Sequence, residues 1–368
     1  MRGWPTLVLA AAAVPAVQLP DVGAVREAVI AASAKTGAAP PRWDPRLAAA
    51  ASRAAERAEG LDPPAELEAR VEALGVGDPA PSAFLVEGPT VEAVASVVAR
   101  RLPVLGEPAT DFGVGLARQG PVVRAVVVRT RRKAFVASVP TSVTPGQTVS
   151  VAGRLVAGLQ APSLYVEEPD GRVVTLPLAA GRDWFRSELT FRSPGPYRVE
   201  LMGRGPRGPE VAWLYTIEAG TAPAVAPEAP AAVGSGNPRT DARQVFDAIN
   251  RDRLELGEPA LAFDPRLAAL ARAYSRELGE LHLLAHVSPR SGDLPARLRR
   301  AGYAYARAGE NLAQGLDALQ AHALAAQSPA HRRNMLDPTF DRCGVGVAEV
   351  LGPDRRPSVI VTELFAGG

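Results

Sequence analysis

The sequence predicts a multidomain protein in which two mixed helix–strand regions flank a central antiparallel β-sandwich. At 368 residues the chain is long for a single domain, since domains commonly span roughly 100 to 200 residues. Apolar and polar residues alternate with a period of two across 136–218, which is typical of half-buried strands. The interval 219–240 is rich in alanine, proline and glycine and lacks the large apolar residues that a core needs, so we expect a linker there.

Composition narrows the classes of function. The formal net charge is +2 and the 41 lysines and arginines are spread along the chain, so no nucleic-acid partner is expected. Cys343 is the single cysteine, which excludes an internal disulfide framework and a zinc site built from several cysteines.

Residues 1–16 have the features of an export signal. Arg2 supplies a positive charge, Leu7 to Val14 form an apolar stretch, and Val14-Pro15-Ala16 provides a small-residue cleavage context. The stretch is shorter than the roughly 20 residues that span a bilayer, and no later segment is both that long and free of charge. We therefore expect no transmembrane span once the signal is removed. The sequence thus predicts a protein that is secreted, or periplasmic and in the cell envelope; the alternative is a buried strand or a disordered start.

Two motifs recur in the same order near the two ends of the chain. The matched segments are Asp44-Pro45-Arg46-Leu47 with Asp264-Pro265-Arg266-Leu267, and Gly113-Val114-Gly115 with Gly344-Val345-Gly346. The first motif opens an alanine-rich helical stretch and the second precedes a valine-rich strand, so the order predicts a duplicated domain. The first copy, 22–133, has no histidine, and Arg100 stands thirteen residues before its Gly113, where the second copy has His331 before Gly344. Since arginine neither ligates metals nor acts as a base near neutral pH, we expect this copy to be degenerate.

Between the two copies, turn residues separate the alternating runs of 136–218. Examples are Thr144-Pro145-Gly146 and Pro169-Asp170-Gly171. The spacing predicts a small immunoglobulin-like β-sandwich, serving as a spacer or, alternatively, as a specific binding module.

All four histidines lie between His282 and His331. In Ser328-Pro329-Ala330-His331 the serine can cap a helix, proline suits its first position, and the histidine falls in the first turn, where the helix dipole lowers an imidazole pKa. A neutral histidine there can bind a metal or accept a proton; the alternative is one that only hydrogen-bonds to the backbone.

A larger ordered set of motifs surrounds these histidines across 241–366. It consists of Ala285-His286-Val287-Ser288-Pro289, Arg297-Leu298, Ala301-Gly302-Tyr303, Gly309-Glu310-Asn311-Leu312-Ala313, Ser328-Pro329-Ala330-His331-Arg332-Arg333-Asn334-Met335-Leu336 and Gly344-Val345-Gly346-Val347-Ala348. The set resembles the CAP superfamily, which includes cysteine-rich secretory proteins, antigen 5 and pathogenesis-related 1 proteins, and is most similar to the bacterial SCP-like branch. The N-terminal copy resembles this family only through the two shared motifs.

The resemblance implies an α-β-α sandwich with a surface cleft. His286 and His331 match the two family histidines and Glu310 matches the acidic residue of the Gly-Glu-Asn motif, so the resemblance implies a His-Glu-His set for Zn²⁺ or another divalent cation. The segment 323–328 lacks the second acidic residue seen in many eukaryotic members, and Ala325 replaces the usual tryptophan. Ser288 and Asn311 complete the expected ligand cleft.

The leading functional hypothesis is an exported protein that binds a lipid, peptide, glycan or envelope protein without turnover. One alternative is a metal-assisted hydrolase acting on peptide or cell-wall material, with His286, Glu310 and His331 as ligands or base; two histidines and one glutamate match the ligand count of a catalytic zinc site. Ser288 is a candidate hydroxyl, although serine in such a turn more often stabilises the loop. A third hypothesis is a structural or adhesive envelope protein with a vestigial cleft.

Overall fold

The computed structural model describes residues 21–57, 61, 64–104, 108–220, 238–351 and 357–368. Within them the chain forms three folded regions, named here the N-terminal (21–133), central (134–220) and C-terminal (238–368) domains. The predicted signal peptide at 1–16 lies outside the described residues, as do residues 221–237 of the predicted linker. In the part of the chain that is described, no helix has the length and apolarity needed to cross a membrane.

The N-terminal domain places helices on both faces of one sheet. Its elements are α1 (Gly23–Ala34), β1 (Arg42–Trp43), α2 (Pro45–Glu56), α3 (Pro64–Ala73), β2 (Ser82–Gly88), α4 (Val91–Arg101), a 3₁₀ turn (Leu102–Val104), β3 (Asp111–Gln119) and β4 (Val122–Thr130). The strand order is β1-β3-β4-β2, with β1 parallel to β3 and the other neighbours antiparallel. Helices α1 and α4 bury their apolar residues on one face, and α2 and α3 on the other.

The central domain is built only from strands. They are β5 (Ala134–Val136), β6 (Ser142–Val143), β7 (Thr148–Leu155), β8 (Gln160–Glu167), β9 (Val173–Leu176), β10 (Ala179–Ala180), β11 (Trp184–Thr190), β12 (Gly195–Gly205) and β13 (Gly208–Ala219). They form two sheets, β10-β11-β7-β5 and β6-β13-β12-β8-β9, which share one apolar core. Burial alternates strictly along β11, as the period-two pattern predicts. The two packed sheets are observed; the immunoglobulin-like assignment stays a prediction.

The C-terminal domain has the same layered arrangement as the N-terminal one. Its elements are α5 (Pro238–Glu255), β14 (Ala262–Phe263), α6 (Pro265–Glu280), α7 (Leu294–Arg300), β15 (Arg307–Gly315), α8 (Ala318–Ala326), α9 (Pro329–Leu336), β16 (Arg342–Leu351) and β17 (Pro357–Gly367). The strand order is β14-β16-β17-β15, with β14 parallel to β16. Helices α5 and α8 cover one face, while α6 and α7 cover the other. The C-terminal region of the predicted linker, from Pro238, is already helical.

Paired glycines bring a helix against the sheet in both mixed domains. A Cβ atom on Gly113 would lie 2.0 Å from the backbone nitrogen of Ala48, and one on Gly344 would lie 2.1 Å from that of Ala268. Ala48 and Ala268 each stand four residues after the aspartate that caps their helix. The two repeated sequence motifs therefore meet in space in the same way in both domains.

Candidate functional site

The start of α9 positions His331 and also joins the C-terminal to the central domain. Ser328 caps the helix by accepting a hydrogen bond from the His331 backbone N–H at 3.3 Å, and Pro329 occupies the first turn, as the sequence predicts. The Ser328 hydroxyl donates to Oε1 of Glu200 at 2.7 Å, and the Ala330 N–H donates to Oε2 of Glu200 at 2.6 Å. A buried carboxylate of the central domain thus lies at the positive end of α9.

The structure brings His331 and His286 together. Their ring centroids are 6.5 Å apart, and Nδ1 of His331 is buried with no hydrogen-bond partner in the described part of the chain. Burial, reinforced by the neighbouring His286, lowers the pKa of His331 to about 4. His331 is therefore neutral at physiological pH, and burial is the largest cause of its lowered pKa.

Glu310 lies on β15 with both carboxylate oxygens engaged. Its Oε1 pairs with Nδ1 of His286 at 3.0 Å, and its Oε2 accepts a short hydrogen bond from the Arg297 guanidinium. Arg297 is itself nearly buried, lies over the ring of Tyr274 at 3.4 Å from the centroid, and donates to the Gly292 carbonyl at 2.8 Å. The carboxylate is therefore held by a cation of its own domain.

This pairing decides how the implied metal fits. A His-Glu-His zinc site needs a carboxylate oxygen directed at the ion, but both oxygens of Glu310 face Arg297 and His286. Among the described residues, no three or more His, Cys, Asp or Glu side chains are grouped so that they could hold a metal ion. The residues in this arrangement do not fit the three-ligand set, and we derive no chemical step through a metal.

Ser288 lies close to His286 in sequence but serves the loop. Its hydroxyl donates a short hydrogen bond to Glu277 and accepts from the Arg290 N–H at 3.1 Å. Its side chain is buried and does not line the cavity described below. This arrangement favours the loop-stabilising interpretation over that of a nucleophile.

Asn311 connects His331 to a second buried pair. Its Nδ2 donates to the His331 carbonyl at 3.1 Å and to Oε2 of Glu363 at 3.0 Å. Oε1 of Glu363 lies 2.7 Å from Nδ1 of His322. Although burial opposes protonation, the charge of Glu363 and this hydrogen bond raise the pKa of His322 above its usual value. Asn311 therefore links the backbone of α9 at His331 to the buried pair of Glu363 and His322.

A cavity of about 1040 Å³ opens beside the two histidines and is lined by all three domains. The turn between β12 and β13 reaches His286: the Val287 N–H donates to the Arg207 carbonyl at 3.0 Å. A Cβ atom on Gly208, whose φ is +101°, would lie only 2.8 Å from Cβ of His286. The central domain therefore forms part of the cavity wall.

Comparison with known proteins assigns a family to part of the chain. Residues 246–356 match the profile of the cysteine-rich secretory protein family, CAP. The C-terminal domain is a CAP domain. The match confirms the resemblance that the ordered motifs indicate, and it covers the histidines, Arg297, Glu310 and Asn311.

Two curated relatives of this domain come from Bacillus subtilis. Bacillus subtilis YkwD is 32% identical over 133 residues, covering 34% of this chain and 52% of YkwD. The B. subtilis membrane protein YlbC is 31% identical over 109 residues, covering 29% of this chain and 32% of YlbC. The chain thus spans about half of one curated relative and about a third of the other.

Two solved structures are similar to parts of the chain. An outer surface protein of Borrelia burgdorferi is 21% identical, with a TM-score of 0.31, covering 35% of this chain and 93% of that one. An extracellular SCP-domain protein of Bacillus anthracis is 19% identical, with a TM-score of 0.33, covering 62% and 89% respectively.

Sequence reasoning missed three residues of the CAP domain site. Arg297 was noted only as part of a motif, and its buried ion pair with Glu310 needs α7 to pack over β15. His322 and Glu363 are not part of the site that the sequence predicts, although each is a polar residue inside an apolar segment, Ala318–Ala326 and Pro357–Gly367. That local contrast was the available signal, because buried charged residues are rare unless paired.

Proposed function

We propose that this protein is an exported, non-catalytic binding protein whose ligand occupies the cavity against His286 and His331. The observation that carries the proposal is the engagement of Glu310 by Arg297 and His286. A general base must be within reach of a substrate proton, whereas both oxygens of this buried carboxylate already face a guanidinium and an imidazole. The polar residues of the cleft then orient a ligand, and no metal ion is required.

The size of the cavity supports binding of a small molecule rather than of a protein surface. Its volume of about 1040 Å³ lies just above the range of roughly 300 to 1,000 Å³ that is usual for ligand sites. Its lining combines apolar side chains with polar and charged ones, which can orient a ligand. Export is supported by the charged and apolar pattern of residues 1–16.

The other two domains have supporting roles in this proposal. The central domain is an immunoglobulin-like spacer, consistent with its two packed sheets. The N-terminal domain is a degenerate CAP-like copy, supported by the shared strand order and by the matching approach of Gly113 and Gly344 to a helix. Arg100, which replaces the cleft histidine in the repeat, lies near the end of α4.

Native mass spectrometry tests the binding function. The purified full-length protein is incubated with a bacterial envelope extract and then separated from it. We expect an intact small molecule to be retained by the wild type and lost in His331→Gln at unchanged thermal stability. Arg333→Gln, on the same helix but outside the cavity lining, is the control and should retain the ligand.

Two results would contradict the proposal. Retention of nothing by the wild-type protein removes the binding function. Release of cleavage products from the extract that depends on His331 favours the hydrolase instead.

A further inference from the structure

The central domain contacts the CAP domain at two places along β12 and the turn that follows it. In the turn, the Arg207 carbonyl accepts a hydrogen bond from the Val287 N–H at 3.0 Å. Within the strand, Glu200 accepts hydrogen bonds from a hydroxyl and a backbone N–H at the start of α9. Met202 lies between these two places in sequence and lines the cavity. The same strand therefore carries contacts that join the domains and a part of the cavity wall.

Glu200 is a fully buried carboxyl group within this interface. Arg198 on its own strand favours ionisation of Glu200, whereas the nearby Glu68 on α3 of the N-terminal domain opposes it. The cross-strand neighbours of Glu200 are Tyr165 on β8 and the apolar Leu214 on β13. Burial is the largest influence on the group, and it disfavours the charged form.

The charged side chains of α9 have partners other than Glu200. Arg332 pairs with Glu167 on β8 at 3.1 Å, and Arg333 interacts with Asp337 at the other end of the helix. His331 is neutral, because its pKa is lowered to about 4. The contact between α9 and Glu200 thus depends on hydrogen bonds rather than on a salt bridge.

The protonation of Glu200 is coupled to the closeness of the two domains. Burial raises the pKa of Glu200 to about 7 and also raises that of the neighbouring carboxyl groups of Glu68 and Glu167. Separation of the domains would expose Glu200 to water and return its pKa toward 4.5. Between these two values, the ratio of the open to the closed arrangement rises by about tenfold per pH unit.

We infer that protonation of Glu200 closes the cavity by holding α9 against β12, and that its ionisation as the pH rises opens the cavity to solvent. A protonated Glu200 keeps both contacts, since its carbonyl oxygen accepts from the Ala330 N–H and its hydroxyl donates to that of Ser328. The inference adds regulation to the proposed binding site, and its role in the cell rests on that proposal.

Oxidation of Met202 by hydrogen peroxide measures the opening in the full-length protein. Met202 lines the cavity and is only 8% exposed, and a thioether is oxidised when the reagent reaches it. Peptide mapping by mass spectrometry should show that its oxidation rate rises about tenfold or more between pH 5 and pH 8. Met335, which is buried in the core of the CAP domain, should react slowly at both pH values.

Amide hydrogen exchange gives a second measure of the same opening. The Val287 and Ala330 N–H groups both donate to the central domain, so their protection, corrected for the intrinsic exchange rate, should fall as the pH rises. The neighbouring Ser288 N–H donates to the Gly292 carbonyl within the CAP domain and should keep its protection.

Glu200→Gln tests whether this carboxyl group is the one that titrates. Because glutamine is neutral at every pH, the variant should match the wild-type rate of Met202 oxidation at pH 5 and lose most of the rise toward pH 8. The control is Glu188→Gln, a substitution at an exposed position of the same domain, which should respond to pH as the wild type does.

Gly208→Ala tests the contact in the turn without changing a titratable group. Its added Cβ would lie 2.8 Å from Cβ of His286, so the variant should accelerate oxidation of Met202 already at pH 5. Gly158→Ala is the matched control, because its φ is also positive, at +78°, but nothing lies within 4 Å of the added methyl. It should leave Met202 as slow as in the wild type.

The contrary outcomes separate the inference from the proposed function. A rate at Met202 that does not change with pH, or an equal rise in Glu200→Gln and the wild type, overturns the inference. So does a parallel rise at Met335 and at the Ser288 amide, which would indicate unfolding of the CAP domain. Since neither measurement uses a ligand, the inference can fail while the ligand retained from the envelope extract still supports the binding function. A pH response at Met202 without any retained ligand supports the opening and removes the binding function.

Discussion

At the scale of single residues, the central group of the cleft is the Glu310 carboxylate, which pairs with Arg297 and His286. The side chains of Arg297 and Glu310 are 8% and 4% exposed, so their charges are largely removed from water. Such a pair adds little net stability, yet removing one partner leaves an uncompensated buried charge. The pair therefore fixes the orientation of Glu310 and, through it, the ring of His286.

Arg297→Met should destabilise the protein by about 3 kcal/mol, because it leaves the Glu310 carboxylate buried without its cation. Adding Glu310→Gln should restore a large part of the loss, since the buried charge is then removed. Denaturant unfolding of the two variants measures both effects. Arg290→Met, which breaks the exposed pair with Glu280, should have no measurable effect. A similar cost for Arg297→Met and Arg290→Met would contradict the argument.

The pH dependence of His331 follows from its lowered pKa of about 4. Between pH 6.5 and about 4 the unfolded chain binds a proton at His331 while the folded protein does not. The free energy of unfolding therefore decreases as the pH falls from 6.5 toward 4. The total loss is at most on the order of 3 kcal/mol. Histidine NMR resonances followed from pH 8 to pH 4 should show one ring, absent in His331→Gln, that stays neutral through pH 6. Titration of that ring near pH 6.5 would refute the burial argument.

At the scale of elements, the contact between α6 and β16 depends on glycines that no other residue can replace. Cβ atoms at Gly344 and Gly346 would each overlap helix backbone, at 2.1 and 2.0 Å from the nitrogens of Ala268 and Arg272. Gly113 and Gly115 have the same relation to α2 in the N-terminal domain. The Gly-Val-Gly motif is thus a packing requirement in both domains.

Gly113→Ala and Gly344→Ala should therefore each destabilise their own domain by about 2 to 3 kcal/mol, since the helix must move away from the sheet. Amide hydrogen exchange, measured separately for the residues of each domain, distinguishes the two effects. Gly257→Ala is the control: its φ is +79° but nothing lies within 4 Å of the added methyl, so about 1 kcal/mol is expected from backbone strain. A penalty confined to one of the two domains would argue against the shared architecture.

At the scale of the whole molecule, Glu200 joins the central domain to the helix that carries His331. Its side chain is fully buried, and it accepts hydrogen bonds from the Ser328 hydroxyl and the Ala330 N–H. Burial raises the pKa of Glu200 to about 7, against the opposing effect of those hydrogen bonds. The junction beside the cavity therefore titrates within the physiological range.

The sign of the effect on stability follows from that raised pKa. The contribution of Glu200 to the free energy of unfolding is fully present below pH 4.5, where the side chain is protonated in both states. It is lost as the pH rises through about 7, because the unfolded chain ionises at a lower pH than the folded protein. Glu200→Gln should match the wild type near pH 4.5 and be more stable at pH 8, by on the order of 3 kcal/mol. Thermal unfolding at the two pH values measures the difference. The control is Glu188→Gln, a substitution at an exposed position of β11, whose difference in stability from the wild type should be the same at both pH values. An equal pH response of the two variants would contradict the argument.

The sequence by itself determined the features that depend on local order. The aspartate caps before Pro45 and Pro265, the serine cap before His331, and the alternation along the central strands all act through neighbours in the chain, so pattern and spacing predict them. The ordered motifs likewise identified the CAP domain and brought His286, Glu310 and His331 into one hypothesis, and the structure places these three residues together.

Tertiary structure alone decided how the charged groups of the cleft are paired and which domains line the cavity. The spacing of Glu310 cannot reveal that Arg297 claims one of its oxygens, because α7 and β15 meet only after folding. Part of the cavity lining comes from the two other domains, far from the histidines in sequence. Charge pairing and burial depend on distance and dielectric, which are properties of the packed molecule, whereas caps and strand alternation depend on the order of residues along the chain.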